Sequence, residues 1–300
     1  MRRFAVLMVV FSSIIWATGG PVIKIMLNLG LAENEIYFLK ALFCLFSILI
    51  FNILFRKKIN RIKEAKDFFM FAVCGIIGYL FYGMLYGYAV KRVPMSVAVV
   101  LVYTAPAIVM LISVLFFREK FTRIKQLCLG LITMGCIFVT GVFRGGMGSL
   151  SAAGILLGLA SGVCYAIYSI TGSMLMKKYD VWTVTTYNFI FAFIAMCLMP
   201  GTQGALSRIM MNKTLLLYCL YFSVICGTVS NVIYIKALEY IEASKASMIT
   251  TIEPVMTSVI GILFFQEEVY FLKILGISLI IISVMMLNQM QKDKIARKEE

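Results

Sequence analysis

Apolar residues run along this chain in long unbroken stretches rather than in alternation with polar ones. Ten such stretches stand out, at about 4–27, 34–55, 68–90, 95–117, 124–143, 152–174, 182–199, 214–235, 245–265 and 271–290. Each approaches the roughly 20 residues that carry a helix across a hydrocarbon core of roughly 30 Å. A barrel strand would need only about ten residues and would alternate. The pattern therefore predicts an all-α integral membrane protein with ten transmembrane helices, called spans 1–10 below. No connection reaches 20 residues, so no soluble domain is expected between spans. The opening MRRFAVLMVVFSSIIWATGG has a basic start and small residues after its apolar core, like a signal peptide. Its apolar pattern continues through VIKIML, and it is expected to be an uncleaved first span.

The pattern repeats. Sliding residues 86–119 onto 234–267, an offset of 148 without gaps, matches ten of 34 positions. Among them are Tyr86/Tyr234, Ser96/Ser244, Pro106/Pro254 and the FF-x-E endings at Glu119 and Glu267. Two five-helix units follow, over 4–145 and 152–290, with a charged tail at 291–300. Five is odd, so the second unit enters the membrane inverted, the arrangement of many secondary transporters, whose solute site lies near the midplane between the halves.

Composition agrees with a membrane setting: 62% of residues are hydrophobic and 14% charged, with mean hydropathy +0.96. The net charge of +14 needs no nucleic-acid partner. With the N-terminus placed in the cytoplasm, twenty of the 28 Lys and Arg fall on that side, in RKKINRIKEAK, REKFTRIK, the chain ends and the neighbouring short loops. Six fall outside, at Lys91, Arg92, Arg144, Arg208, Lys213 and Lys273. This bias predicts a multi-pass protein of the cytoplasmic membrane with both termini inside. The eight cysteines all lie in spans and read as small apolar packing residues.

Three stretches carry a family likeness: IIWATGGPVIK in span 1, VYTAPAIVMLISVLFFREK in span 4 and TTIEPVMTSVIGILFFQEE in span 9. The chain resembles the drug/metabolite transporter superfamily, and within it the ten-span proteins of two EamA domains, over essentially its whole length. Trp16, Pro106, Glu253-Pro254-Val255, Glu119 and Glu267 match the pattern. Arg118 and Gln266 stand where glycine is usual, and Lys40 where arginine is usual. The resemblance implies a transporter of small organic solutes, with export of amino acids or related metabolites foremost. It does not single out a substrate.

The candidate site residues are few. Glu253 lies about 12 Å into its span, counted from Lys245 at 1.5 Å per residue, too deep to reach water easily. A central carboxylate costs roughly 2.5–3.5 kcal/mol and usually faces a cavity or a partner. It reads as an amine contact or protonation site, or else as a structural carboxylate. Its counterpart in the first unit is Ala105. Pro254 is expected to free a backbone carbonyl one turn back, and Pro106 marks the matching break. Lys24 is placed to snorkel. Lys40 is expected to snorkel, to pair with Glu33 or Glu35, or to meet a substrate carboxylate. In span 3, Tyr79, Tyr82 and Tyr86 recur three and four residues apart and share a face. With Trp16, Tyr103, Tyr165, Tyr168 and Tyr234 they read as a cavity wall for amphipathic solutes, against an alternative of packing and interfacial belts. Gly154, Gly158 and Gly162 predict a close helix crossing.

The sequence contains no histidine and no P-loop. It is read as a non-enzyme without cofactor or metal, coupled to protons or a counter-substrate where coupled at all. The alternatives are efflux of cationic aromatic compounds and a membrane sensor or scaffold.

Overall fold

The computed structural model describes residues 4–93, 95–117, 119, 122–140, 151–265 and 268–299, with side chains for all of these except 95, 96, 265 and 290–299. Arg2, Arg3, Arg118, Arg144, Gln266 and Glu267 lie outside the described residues, as do the side chains of Ser96 and of the 291–300 tail.

The described residues are helical and contain no strand. Among the described residues, nine helices are long and apolar enough to cross a membrane, and span 7, Val181–Cys197, is a shorter apolar helix of 17 residues. Spans 2, 5, 6 and 10 are continuous, at Glu33–Leu54, Arg123–Thr140, Ala152–Leu175 and Phe271–Glu299. Span 1 is broken at Thr18 into Ala5–Ala17 and Gly19–Asn28. Spans 4 and 9 are interrupted at matching points, giving Met95–Val102 with Ala105–Phe117, and Ala243–Ile249 with Ile252–Phe265. Each proline follows its break, Pro106 and Pro254 sitting in the first turn of the second piece. There a missing N–H costs nothing, because first-turn donors have no partner within the helix.

Spans 3 and 8 hold a feature the periodicity did not announce. Val73–Phe81 and Tyr221–Val229 are π-helical, nine residues each, and start 148 positions apart. Flanking α segments Ala65–Ala72 and Tyr82–Val90 complete span 3, and Lys213–Leu220 and Ser230–Ala237 complete span 8. Such wide turns are rare and concentrate at functional sites. Span 3 packs on spans 6 and 7, and span 8 on spans 1 and 2. Spans 5 and 10 cross closely where Gly135 meets Gly276: a Cβ on Gly276 would stand 2.7 Å from the Gly135 carbonyl. The predicted glycine crossing is also present, since Gly158 and Gly162 lie against Leu101 of span 4.

Polar contacts tie the loops into two ends. At one, Lys178 reaches Asp67 at 2.9 Å and Glu64 at 3.3 Å, and Asn60 bonds Asp180. Hydrogen bonding to Asp67 and then Glu64 raises the Lys178 pKa above its ordinary value. At the other, Asn34 joins Pro200 and Tyr88, Lys91 pairs with Glu33, and Arg208 pairs with Glu35 at 3.2 Å.

Candidate functional site

A cavity of about 680 Å³ lies among the interrupted and π-helical segments. Its wall draws on every span except span 7, so both halves of the chain build it. Its lining extends to exposed Glu268, half-buried Tyr270 and buried Lys273, at the end where Arg208 meets Glu35. No lining residue comes from loops 55–64, 176–180 or 238–242 at the other end.

Most of the expected site residues meet here. Tyr79, Tyr82 and Tyr86 line the cavity together, as their spacing predicted. Opposite them stand Tyr165 and Tyr168 of span 6, with Tyr82 and Tyr165 ring centres 5.3 Å apart. Trp16 lines it from span 1 and Tyr103 from the break in span 4. Gly78 is required where the π-helical turn meets span 6: a Cβ there would lie 2.8 Å from the Tyr168 Cα.

Glu253 and Pro254 line the cavity from span 9. Glu253 sits in the first turn of Ile252–Phe265, where unpaired N–H groups and the helix dipole favour negative charge. The Tyr103 hydroxyl lies near its carboxyl. Lys40, lining the cavity from span 2, lies over the rings of Tyr79 and Phe222, 5.1 and 4.6 Å from their centres. Neither Lys40 nor Glu253 has an ion-pair partner among the described residues, although each feels the other's charge.

Three expectations need correction. Lys40 does not pair with Glu33 or Glu35, which Lys91 and Arg208 already hold. The carbonyl one turn before Pro254, that of Thr250, is not free, because Glu253 N–H donates to it at 2.9 Å. Tyr234 is fully buried behind the wall, stacked on Tyr168 with its hydroxyl 2.7 Å from Ser169, and does not line the cavity. Pro106, expected only to mark a break, is buried in the first turn after the break in span 4 and does not line the cavity. Lys24 is exposed near the end of span 1, as snorkelling requires.

Residues not singled out from sequence complete the wall. Asn231 lines it and accepts the Tyr168 hydroxyl at 2.6 Å, while Cys226, Phe222, Thr257 and Ser258 add small polar and aromatic surface. Asn231 is the offset-148 counterpart of Gly83, and Cys226 of Gly78, so matching by identity passed over both. Cys226 and Gly78 sit in the π-helical turns, and Asn231 and Gly83 in the α segments that follow them.

Comparisons with known proteins agree with this architecture. A sequence model described as "EamA-like transporter family" matches twice, over residues 3–141 and 152–289. The chain is similar to the Bacillus subtilis "Uncharacterized transporter YdfC", 26% identical over 284 residues, covering 92% of this chain and 89% of that protein. It is 23% identical to the Salmonella typhimurium "Uncharacterized inner membrane transporter YicL", covering 95% of each. The Pseudomonas aeruginosa "Pseudopaline exporter CntI" is 25% identical over 224 residues, 74% of this chain and 76% of that protein. A protein of known crystal structure superposes with a TM-score of 0.76 at 16% identity, over 98% of this chain and 99% of its own, and shows the same fold. The two matched repeats leave almost none of the spans uncovered, and the chain belongs to the EamA-like transporter family.

Proposed function

We propose that this transporter carries small zwitterionic organic solutes, amino acids or close relatives, outward across the cytoplasmic membrane by alternating access. The observation behind this reading is the pair Lys40 and Glu253: two opposite charges in one cavity, neither with an ion-pair partner among the described residues. A solute bearing a carboxylate and an amine supplies a partner to each, and the tyrosine wall accepts its apolar part. A volume of about 680 Å³ suits a small metabolite rather than a peptide.

The positive charge bias favours placing the basic end in the cytoplasm. The cavity lining then extends toward the outer end and takes no residue from loops 55–64, 176–180 or 238–242. Export is favoured by the relative named as an exporter. Energy comes from a proton gradient or from a counter-solute, with Glu253 the group inside the cavity that a proton would use.

A thermal-shift screen of the purified protein tests the reading, because a ligand that binds only the folded form raises the melting temperature. Amino acids are expected to raise it, while amines lacking a carboxylate and acids lacking an amine raise it less. A second reading, efflux of cationic aromatic compounds, is favoured by Glu253 standing among tyrosine rings. Stabilisation by aromatic cations alone would select it.

A further inference from the structure

The cavity ends on a hydrogen-bonded layer and then on an ion cluster. Below the wall, Tyr165 donates to Thr250 at 3.0 Å, and Tyr234 reaches Ser169 at 2.7 Å. Beyond that layer stands Lys125 of span 5, 2% exposed. Its ammonium lies 3.0 Å from Glu119, 2.7 Å from Glu242 and 3.1 Å from the Ser244 hydroxyl. Ser244 in turn donates to Glu119. Glu119 and Lys125 belong to the first half of the chain, Glu242 and Ser244 to the second. On the far side a hollow of about 280 Å³, lined by Glu119, Glu239 and Glu242 among others, faces the basic end. Tyr165 lines the first space, and Glu119 and Glu242 line the second.

We propose that Lys125, Glu119, Glu242 and Ser244 form a bolt that holds the basic end of the transporter shut. A buried ammonium shared by two carboxylates is held firmly while the halves stay together, because losing either side leaves a charge buried without partners. Separation exposes every member to the adjoining hollow, where water replaces the lost contacts. The bolt thus resists partial opening and yields to full opening, as a switch between two discrete states requires. The sequence repeats its cation: Lys273 stands 148 positions after Lys125 and is likewise buried, lining the cavity at the opposite end. The proposal rests on the transport reading but not on the identity of the solute.

The test needs no solute. In a variant lacking the native cysteines, single cysteines at Thr250→Cys, behind the bolt, and Tyr86→Cys, in the cavity, are labelled with a membrane-impermeant maleimide added to either side of reconstituted vesicles. Thr250→Cys is expected to be nearly inert from the basic side. Adding Lys125→Gln should raise its labelling from that side and lower that of Tyr86→Cys from the other, while Lys125→Arg should restore the original pattern. Where Lys125→Gln does not fold, Glu242→Gln, at the rim of the cluster, makes the same test. Unchanged labelling at both positions in a variant with the parent melting temperature would overturn the bolt. So would a parallel rise at both, which signals general loosening. A failed solute screen leaves these labelling results standing, so the two proposals fail separately.

Discussion

Two side chains carry the proposed selectivity, and each is tolerated for a local reason. Glu253 lies at a helix start, where backbone N–H groups and the Tyr103 hydroxyl answer its charge. Lys40 rests on two aromatic faces in place of a carboxylate. Glu253→Gln keeps the shape and removes the charge. It should insert and melt as the parent does yet lose most transport, and near-parental flux would reduce the carboxylate to a hydrogen-bonding strut. Lys40→Met removes the cation alone. A lost charge-assisted hydrogen bond is worth about 1.5–3 kcal/mol, so amino-acid binding should weaken roughly ten- to 100-fold by calorimetry. A simple monoamine should bind Lys40→Met as it binds the parent, and equal loss for both would count against carboxylate recognition. The sequence marked both residues because charge within a long apolar run is conspicuous. It did not show the partner of Lys40, since Phe222 is 182 positions away and only tertiary packing brings it near.

At the scale of elements, the cavity is built where helices depart from regularity. The breaks in spans 4 and 9 were legible through Pro106 and Pro254, because proline restricts the backbone before it and lacks an N–H. The π-helical turns in spans 3 and 8 were not. A π-helix slips the hydrogen-bond register by one residue without changing composition, so apolar runs such as VCGIIGYLF fit either state. What holds the slipped register is contact with neighbouring spans. Gly78 brings the turn against the span 6 backbone, 2.8 Å from where a Cβ would be. Gly78→Ala must push span 3 away from Tyr168 and should cost about 1–3 kcal/mol, read as a lower melting temperature in detergent. It should also reduce ligand-induced stabilisation, because Tyr79 and Tyr168 face the same cavity. A variant as stable as the parent would show that the contact is slack.

Across the whole molecule, the two ends differ in how they are tied. The basic end combines the Lys178 and Lys125 clusters. The other carries the cavity lining that extends to Glu268, Tyr270 and Lys273. Reporter fusions at Arg61 and Lys178 should read cytoplasmic, and fusions at Glu33 and Gly204 external. An external reading at Lys178 would reverse the assigned orientation. The sequence bears on this question through charge counts alone, because insertion reads loop charge and not the folded interior.

The apolar runs by themselves determined that the chain is a bundle of membrane-spanning helices, since in lipid every backbone polar group must be paired within its own segment. The repeat at offset 148 and the motifs in spans 1, 4 and 9 pointed to the transporter family for the same local reasons. Only the tertiary structure decided which tyrosines face the cavity and which, like Tyr234, stand behind it. It alone brought Lys40 and Glu253 into one cavity, and joined Lys125 to Glu242 across the two halves. Helix periodicity fixes the face on which a residue lies, but the neighbour that face meets depends on how ten spans pack. That packing rests on glycine contacts and buried polar pairs between residues distant in sequence.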